Sequence, residues 1–157
     1  MRFTCLIFTA FLAWSAPLSA EMSDRAGWSV MRSDQSHADL VANTRAAIKE
    51  NGLIVVTQAG PTKAAAARGI EIPGNTVIGA FNNDFAVRLL ALSTPAMIEA
   101  PIRFYVTENA DGTATLSYKT PTAVLEPYVE DGAPGIAEIA AELDALFATI
   151  SKQATVR

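Results

Sequence analysis

The chain has 157 residues, of which 12 are basic and 16 acidic, so its formal net charge at neutral pH is −4. An acidic balance without a basic cluster argues against nucleic acid or an anionic lipid surface as a partner. The length suits one compact domain with its own hydrophobic core.

Residues 1–20 have the three-part layout of a cleaved secretory signal peptide. Arg2 is their only charge, an apolar run follows at residues 3–14, and small residues end the segment at Ala20. The apolar run is shorter than the ~18 residues that a membrane span needs. We therefore expect export to the periplasm or secretion, with cleavage after Ala20 and no membrane association afterwards.

Cleavage would remove Cys5, the only cysteine, and would leave 137 of the 157 residues with a net charge of −5. The exported chain would then have no thiolate for metal binding, disulfide formation or nucleophilic attack. Any activity would have to come from the remaining types of side chain.

The exported segment begins with residues 21–35, in which residues 27–31 have the composition of a short strand. Ser36 is suited to cap a helix that ends near Gly52, a residue that can adopt the left-handed conformation of a helix terminus. Apolar residues between these two positions recur at helical spacing, which predicts an amphipathic helix packed on a sheet.

Residues 53–58, LIVVTQ, form a continuous β-branched run, which is typical of a strand covered on both faces. The following Gly60 and Pro61 suit the cap and the first position of a short helix that ends at Gly69. A phosphate-binding loop would need a second glycine before Lys63, and the sequence has none there. The turn therefore indicates a strand-to-helix connection rather than an anion site.

Residues 75–81 predict another strand and residues 85–93 another helix. Two further strands flank NADG, in which Asp-Gly favours a tight hairpin turn. Prolines interrupt the next segment, where an extra turn is expected near residues 122–129, and an amphipathic helix ends the chain.

The element order β-α-β-α-β-α-β-β-α predicts an α+β fold in which helices pack on a small mixed sheet. We expect a single domain at residues 36–152, followed by a tail at residues 153–157.

Two aromatic rings bracket three polar side chains at the end of a predicted strand: Phe81, Asn82, Asn83, Asp84 and Phe85. This mix is typical of a small-molecule pocket, in which apolar walls surround a few hydrogen-bonding groups. Tyr105 and Tyr118 would join the pocket if hairpin pairing brings them onto one face. In the alternative interpretation, Asn83 or Asp84 caps the next helix and the phenylalanines enter the core.

His37 is the only histidine and could ligate a metal with a methionine thioether such as that of Met31, a combination that favours Cu(I). The methionines are not clustered in the sequence. A histidine at a helix end and methionines in the core are the alternative. We therefore predict no metal site and no cofactor.

Ser117 and Lys119 lie two residues apart on a predicted strand and would share one face of it. Such a pair can act as nucleophile and base when the lysine is buried, and a solvated polar face is the alternative. The acidic residues between positions 99 and 131 show no spacing that selects a catalytic pair. The sequence therefore predicts no catalytic residue.

From residue 36 to about residue 125, the order of elements and several short motifs resemble the bacterial family called domain of unknown function 302. The resemblance rests on glycines, aromatic residues and turn residues: Gly52, Gly69, Phe81, Asn83, Pro101, Asp111, Gly112, Ser117 and Tyr118. It implies an α+β fold that often forms homodimers, and it implies no established activity.

The chain departs from the family pattern at three places. It has Gly60-Pro61 where the family has Asp-His, and it reads FNND at residues 81–84 where the family has Phe-Gly-Asn-Pro. A Gly-Thr-Pro-Leu-Met run of the family corresponds to residues 87–91, which lack the threonine and the methionine. Any function of the family's histidine would therefore be lost here.

We expect an exported, non-enzymatic domain that binds a small ligand or a partner protein and forms a homodimer. Two alternatives stay open. One is a metal- or haem-associated periplasmic accessory protein that uses His37. The other is a small hydrolase or isomerase that uses carboxylates or the Ser117 and Lys119 pair.

Overall fold

The computed structural model describes residues 22–130 and 133–157. The predicted signal peptide and its cleavage site lie outside these residues. Within them, no helix combines the length and the apolarity that a membrane span requires.

The described part contains five strands and five α-helices, so the predicted α+β class is confirmed. The elements are β1 (Trp28–Ser33), α1 (His37–Glu50), β2 (Ile54–Ala59), α2 (Thr62–Ala66), β3 (Asn75–Phe81), α3 (Asn83–Leu92), a 3₁₀ turn (Pro95–Glu99), β4 (Ile102–Glu108), β5 (Ala114–Lys119), α4 (Pro121–Glu130) and α5 (Ile136–Thr155).

The strands form one sheet in the order β1-β5-β4-β3-β2, and every neighbouring pair is antiparallel. The expectation of a mixed sheet is therefore wrong. The segments that contain α2 and α3 join strands that are neighbours in the sheet, so the chain returns beside the strand that it has just left. A parallel neighbour would require a crossover to the opposite end of the sheet.

Both ends of the described chain contribute to this fold. β1 pairs with β5 along its whole length, and α5 continues to Thr155. The fold therefore includes a strand from the predicted N-terminal segment and residues from the predicted tail.

The core lies between the sheet and the helices α1 and α5. Phe104 and Tyr118 are register partners in β4 and β5, so their side chains point to the same face of the sheet. The ring of Phe147 in α5 stacks on that of Phe104, with centroids 4.5 Å apart, and lies 5.5 Å from the ring of Tyr118. Burial of a phenylalanine side chain contributes about 1.5–3 kcal/mol. This aromatic cluster therefore holds α5 firmly on one side of the sheet.

The predicted helix-end and hairpin signals are confirmed. The Ser36 side chain caps α1, and Gly52 has a φ angle of 77° at the end of that helix. In the hairpin, Gly112 has a φ angle of 82°. Asp111 accepts hydrogen bonds from the hydroxyl and the amide of Thr113, which lower the pKa of its carboxyl group.

β2 is an edge strand, and it is more exposed than its sequence indicates. Ile54 is 59% exposed and Val56 is 47% exposed, whereas Val55 packs against the core. The expectation that this strand is covered on both faces is therefore wrong. β3 pairs with one side of β2, and the following helix α2 has five residues, which makes it too short to cover the strand.

A close approach of two backbone segments determines the turn after β2. A Cβ atom on Gly60 would lie 2.0 Å from the carbonyl oxygen of Asn75, so a larger residue requires β3 to move. The helix begins one residue later than expected, because Pro61 is its cap and Thr62 its first residue. Packing therefore explains the glycine, in agreement with a strand-to-helix connection.

The 3₁₀ turn was not expected from the sequence, and the extra turn expected near residues 122–129 is a helix of ten residues. α4 has ten residues although Pro127 lies inside it. Its first turn is held from α5, because Asp144 accepts hydrogen bonds from the amide of Thr122 at 3.1 Å and from its hydroxyl at 2.5 Å. Leu125 is 1% exposed. Tertiary packing therefore overrides the low helix propensity of a segment that contains proline.

Candidate functional site

The side chains on the sheet face opposite to α1 and α5 form a surface that we call the open face. The register assigns to it residues from four neighbouring strands: Trp28, Val30, Ser117, Lys119, Arg103, Tyr105, Asn75 and Val77. Trp28, Val77 and Tyr105 are half-buried on this face. Their apolar surfaces are therefore partly accessible to solvent or to a ligand.

A groove of about 600 Å³ lies on the open face. Trp28, Val77 and Tyr105 line it, and Ala123 and Val124 of α4 add to its wall. Sites for small molecules typically have volumes of roughly 300–1,000 Å³ and mostly apolar walls with a few polar groups. The groove therefore has the size and the mixed lining of a small-molecule site.

Two cationic side chains lie next to Trp28. The Nζ atom of Lys119, its register partner, is 5.8 Å from the centroid of the indole ring. The guanidinium carbon of Arg25 is 5.3 Å from the same centroid. Both distances are within the ~6 Å range of cation–π attraction. Two positive charges therefore lie beside Trp28 at one end of the groove.

A third cation, Arg103, extends this cluster along β4. The register that pairs Phe104 with Tyr118 makes Arg103 and Lys119 the next cross-strand neighbours. Like charges in such positions destabilise a sheet. Glu99 is the one acidic side chain among the described residues that line the groove.

Tyr105 and Ser117 are register partners in the middle of the open face. The Tyr105 hydroxyl accepts a hydrogen bond from the side-chain amide of Asn75, and the Ser117 hydroxyl donates to the Tyr105 carbonyl at 3.4 Å. Ser117 is fully buried, whereas Lys119 is exposed. The two side chains share a face, but the Ser117 hydroxyl is directed at the Tyr105 carbonyl and the Lys119 Nζ atom lies over the Trp28 ring, so no contact pairs them.

Phe81, Asn82 and Phe85 line a different cavity, between the sheet, α3 and α5. Its volume is about 40 Å³, close to the ~30 Å³ that one water molecule takes up in the liquid. Asn83 and Asp84 are exposed and are not part of its lining. This cavity is therefore too small for an organic ligand.

Tyr105 and Tyr118 point to opposite faces of the sheet, so hairpin pairing does not bring them onto one face, although atoms of both residues line the groove. Tyr105 pairs with Ser117, and Tyr118 is the next residue along β5. Successive side chains of a strand alternate between faces. The ring of Tyr118 lies 5.3 Å from that of Phe104, in the core.

Asn82, rather than Asn83 or Asp84, is the N-cap of α3. Its side-chain oxygen accepts hydrogen bonds from the amides of Asp84 at 2.8 Å and Phe85 at 3.2 Å. Its side-chain amide donates to the carbonyl of Gly52 at 3.0 Å. Asn82 therefore connects α3 to the end of α1, which is a structural role.

His37 is the first residue of α1 and lies against the start of β3. Its Nε2 atom is 3.3 Å from the Thr76 hydroxyl. Met31 belongs to β1, three strand spacings from β3 and so roughly 14 Å away across the sheet. The structure therefore does not bring His37 and Met31 together. Among the described residues, no group of three or more histidine, cysteine, aspartate or glutamate side chains is placed to hold a metal ion.

Sequence reasoning missed Trp28, Arg103, Asn75 and Val77 as site residues. The four lie in three different strands, and no short motif contains them. Part of the signal was available, because the Asp-Gly turn fixes the register of its two strands. That register places Arg103 beside Lys119, although their separation in the sequence hides the basic cluster.

Comparison with known proteins confirms the resemblance found in the sequence. The family model described as "Domain of unknown function DUF302" matches residues 29–153. The fold is similar to the crystal structure of an uncharacterized conserved DUF302 protein from Bacillus stearothermophilus, with a TM-score of 0.73, 17% sequence identity, and coverage of 83% of this chain and 99% of that chain. At this identity the likeness concerns the fold alone. No curated protein matches the chain significantly.

The cap at Asn82 leads to a stability prediction. Asn82→Ala removes the acceptor for two amides and the donor to Gly52, so it should lower the free energy of unfolding by about 1–2 kcal/mol. Urea denaturation measures this change. The control Asn83→Ala, at an exposed position, should change stability by less than about 0.5 kcal/mol. An equal loss in both variants would contradict the cap assignment.

Proposed function

We propose the following role for this protein, which belongs to the DUF302 family of domains of unknown function. It is exported, and it binds a small organic molecule in the groove on the open face without catalysing a reaction. The observation that carries this proposal is the groove itself, in which aromatic and aliphatic side chains lie beside cations and hydrogen-bonding groups.

The contacts in the groove support binding rather than covalent chemistry. The Ser117 hydroxyl is directed at the Tyr105 carbonyl, and the Lys119 ammonium lies over the Trp28 ring. The two groups are therefore engaged with different partners. Trp28, Val77 and Tyr105 offer apolar surface, and Asn75 and Tyr105 offer polar atoms that can orient a ligand.

Export is supported by the signal-peptide layout of residues 1–20. The two alternative functions have no comparable support. His37 is hydrogen-bonded to Thr76 and lies away from Met31. Among the residues that the structure describes, no contact pairs a nucleophile with a base in the groove. Ligand binding in the groove therefore remains the preferred function.

A fragment screen monitored by amide NMR shifts tests the binding site. Fragments that bind should perturb amides around Trp28, Val77 and Tyr105. Val77→Trp fills the groove and should abolish these shifts. The matched control is Val87→Trp, on the exposed surface of α3, which should leave them unchanged. Binding that perturbs other surfaces, or that survives Val77→Trp, would refute the groove as the site.

The proposed role includes a homodimer, as the family resemblance implies. β2 is the structural feature that supports it, because Ile54 and Val56 are exposed on an edge strand. Edge strands present unpaired backbone donors and acceptors that can pair with another strand. A second copy of β2 in antiparallel orientation satisfies the two-fold symmetry of a dimer and covers both side chains.

Sedimentation of the wild type and of two lysine variants tests this interface. The wild type should sediment as a dimer, and Val56→Lys should shift it to the monomer, because an edge lysine opposes strand pairing. Val87→Lys, at a valine that is 58% exposed on α3, should remain dimeric. A wild-type mass of one chain at micromolar concentration would rule out the dimer, and dimeric Val56→Lys would rule out the β2 edge.

A further inference from the structure

We infer that the groove selects a flat aromatic molecule that carries a negative charge, such as an aromatic carboxylate or an aryl phosphate. This inference rests on the proposed function and specifies its ligand class. It follows from three features of the open face: an uncompensated pair of cations, an aromatic surface beside them, and an oriented phenol at the centre of the groove.

The cation pair provides the recognition of negative charge. Arg103 and Lys119 follow the Phe104–Tyr118 pair at the end of the β4–β5 register, which makes them the next cross-strand neighbours, and like charges in such positions repel each other. Among the described residues, Arg103 forms no ion pair, and the partner of the Lys119 ammonium is the Trp28 ring. An anion placed between the two would relieve the repulsion and form charge-assisted hydrogen bonds with both.

The surrounding charges favour one anion in a defined position. Arg25 adds a third cation beside Trp28. Glu99 is the acidic group of the groove, and its carboxylate accepts a hydrogen bond from the Tyr128 hydroxyl at 2.9 Å. The charge distribution is therefore positive near Trp28 and negative near Glu99, although the whole chain has a net charge of −4.

The aromatic surface provides the recognition of a flat group. The Lys119 ammonium lies 5.8 Å from the centre of the Trp28 ring, so a single ligand can place its anionic end on the ammonium and its ring on the indole. Aromatic rings attract each other in offset or edge-to-face contact beyond the effect of buried area. A ligand with both parts therefore uses both features together.

Tyr105 supplies a directed donor. Its hydroxyl oxygen accepts a hydrogen bond from the Asn75 amide, so the hydroxyl proton points to another partner. Among the described residues, no side chain or carbonyl accepts that proton. The phenol can therefore donate to a ligand oxygen, in agreement with an anionic or otherwise oxygen-rich ligand.

The test uses the exported form, residues 21–157, in which Trp28 is the only tryptophan because Trp14 lies in the predicted signal peptide. The probes are phenylacetate, phenyl phosphate, the neutral analogue 2-phenylethanol, and acetate. Quenching of Trp28 fluorescence reports on the groove, and isothermal titration calorimetry gives the affinities. At least one of the two aromatic anions should bind saturably, about tenfold or more tightly than 2-phenylethanol and acetate.

Matched variants assign the effect to the cation pair. Arg103→Gln and Lys119→Gln should each weaken binding of the aromatic anion by about tenfold, and added salt should weaken it further in the parent protein. The control is Lys49→Gln, an exposed cation on α1, which should have no effect. Equal losses in Lys119→Gln and Lys49→Gln would overturn the assignment.

Other outcomes separate this inference from the proposed function. If 2-phenylethanol binds as tightly as phenylacetate and phenyl phosphate, the groove binds ligands without selecting for negative charge, and only the inference fails. If none of the four probes binds, the inference also fails, and the fragment screen with Val77→Trp then decides the proposed function separately.

Discussion

The two-residue alternation of side chains along β4 and β5 is the constraint on which the rest of the structure depends. It directs Phe104 and Tyr118 toward the helices, where the ring of Phe147 in α5 packs against both of their rings. The same alternation directs Tyr105 and Ser117 to the other face. The side chains that build the core therefore also determine which side chains remain available for binding.

The packing of helices on one side of the sheet has a consequence for the open face. With α1 and α5 on one side, the opposite face has to tolerate water, and antiparallel sheets commonly do so. Here that face combines half-buried Trp28 and Tyr105 with two neighbouring cations, Arg103 and Lys119, whose like charges repel each other. Proteins accept such local costs where a ligand or a partner relieves them.

Local signals in the sequence were sufficient for much of the fold. The cap at Ser36, the left-handed glycine at Gly52 and the Asp-Gly turn each act within a few residues, and the structure contains all three. The sequence predicted only a turn where helix α4 lies, because Asp144, which lies 22 residues after Thr122, holds the first turn of that helix. The exposure of β2 was missed because a β-branched run is the same in a central strand and an edge strand.

The candidate site was harder to predict from the sequence, because its residues come together only through contacts between distant parts of the chain. The stretch at residues 81–85 looked like a pocket because its aromatic and polar residues are contiguous, yet its central role is the cap at Asn82. The groove instead depends on register across four strands. Composition alone gave no basic cluster, whereas strand pairing places Lys119 opposite Trp28 and makes Arg103 its next neighbour on β4.

Hydroxyl-radical footprinting of the tyrosines, read by mass spectrometry, tests the one-sided sheet most directly. Tyr105 and Tyr118 lie on adjacent strands with the same chemistry, so their relative labelling reports only on the face that each occupies. The account predicts rapid oxidation of Tyr105, with Tyr118, which is 5% exposed, protected until the protein unfolds. Labelling of Tyr118 at the same rate as Tyr105, or protection of both, would contradict it.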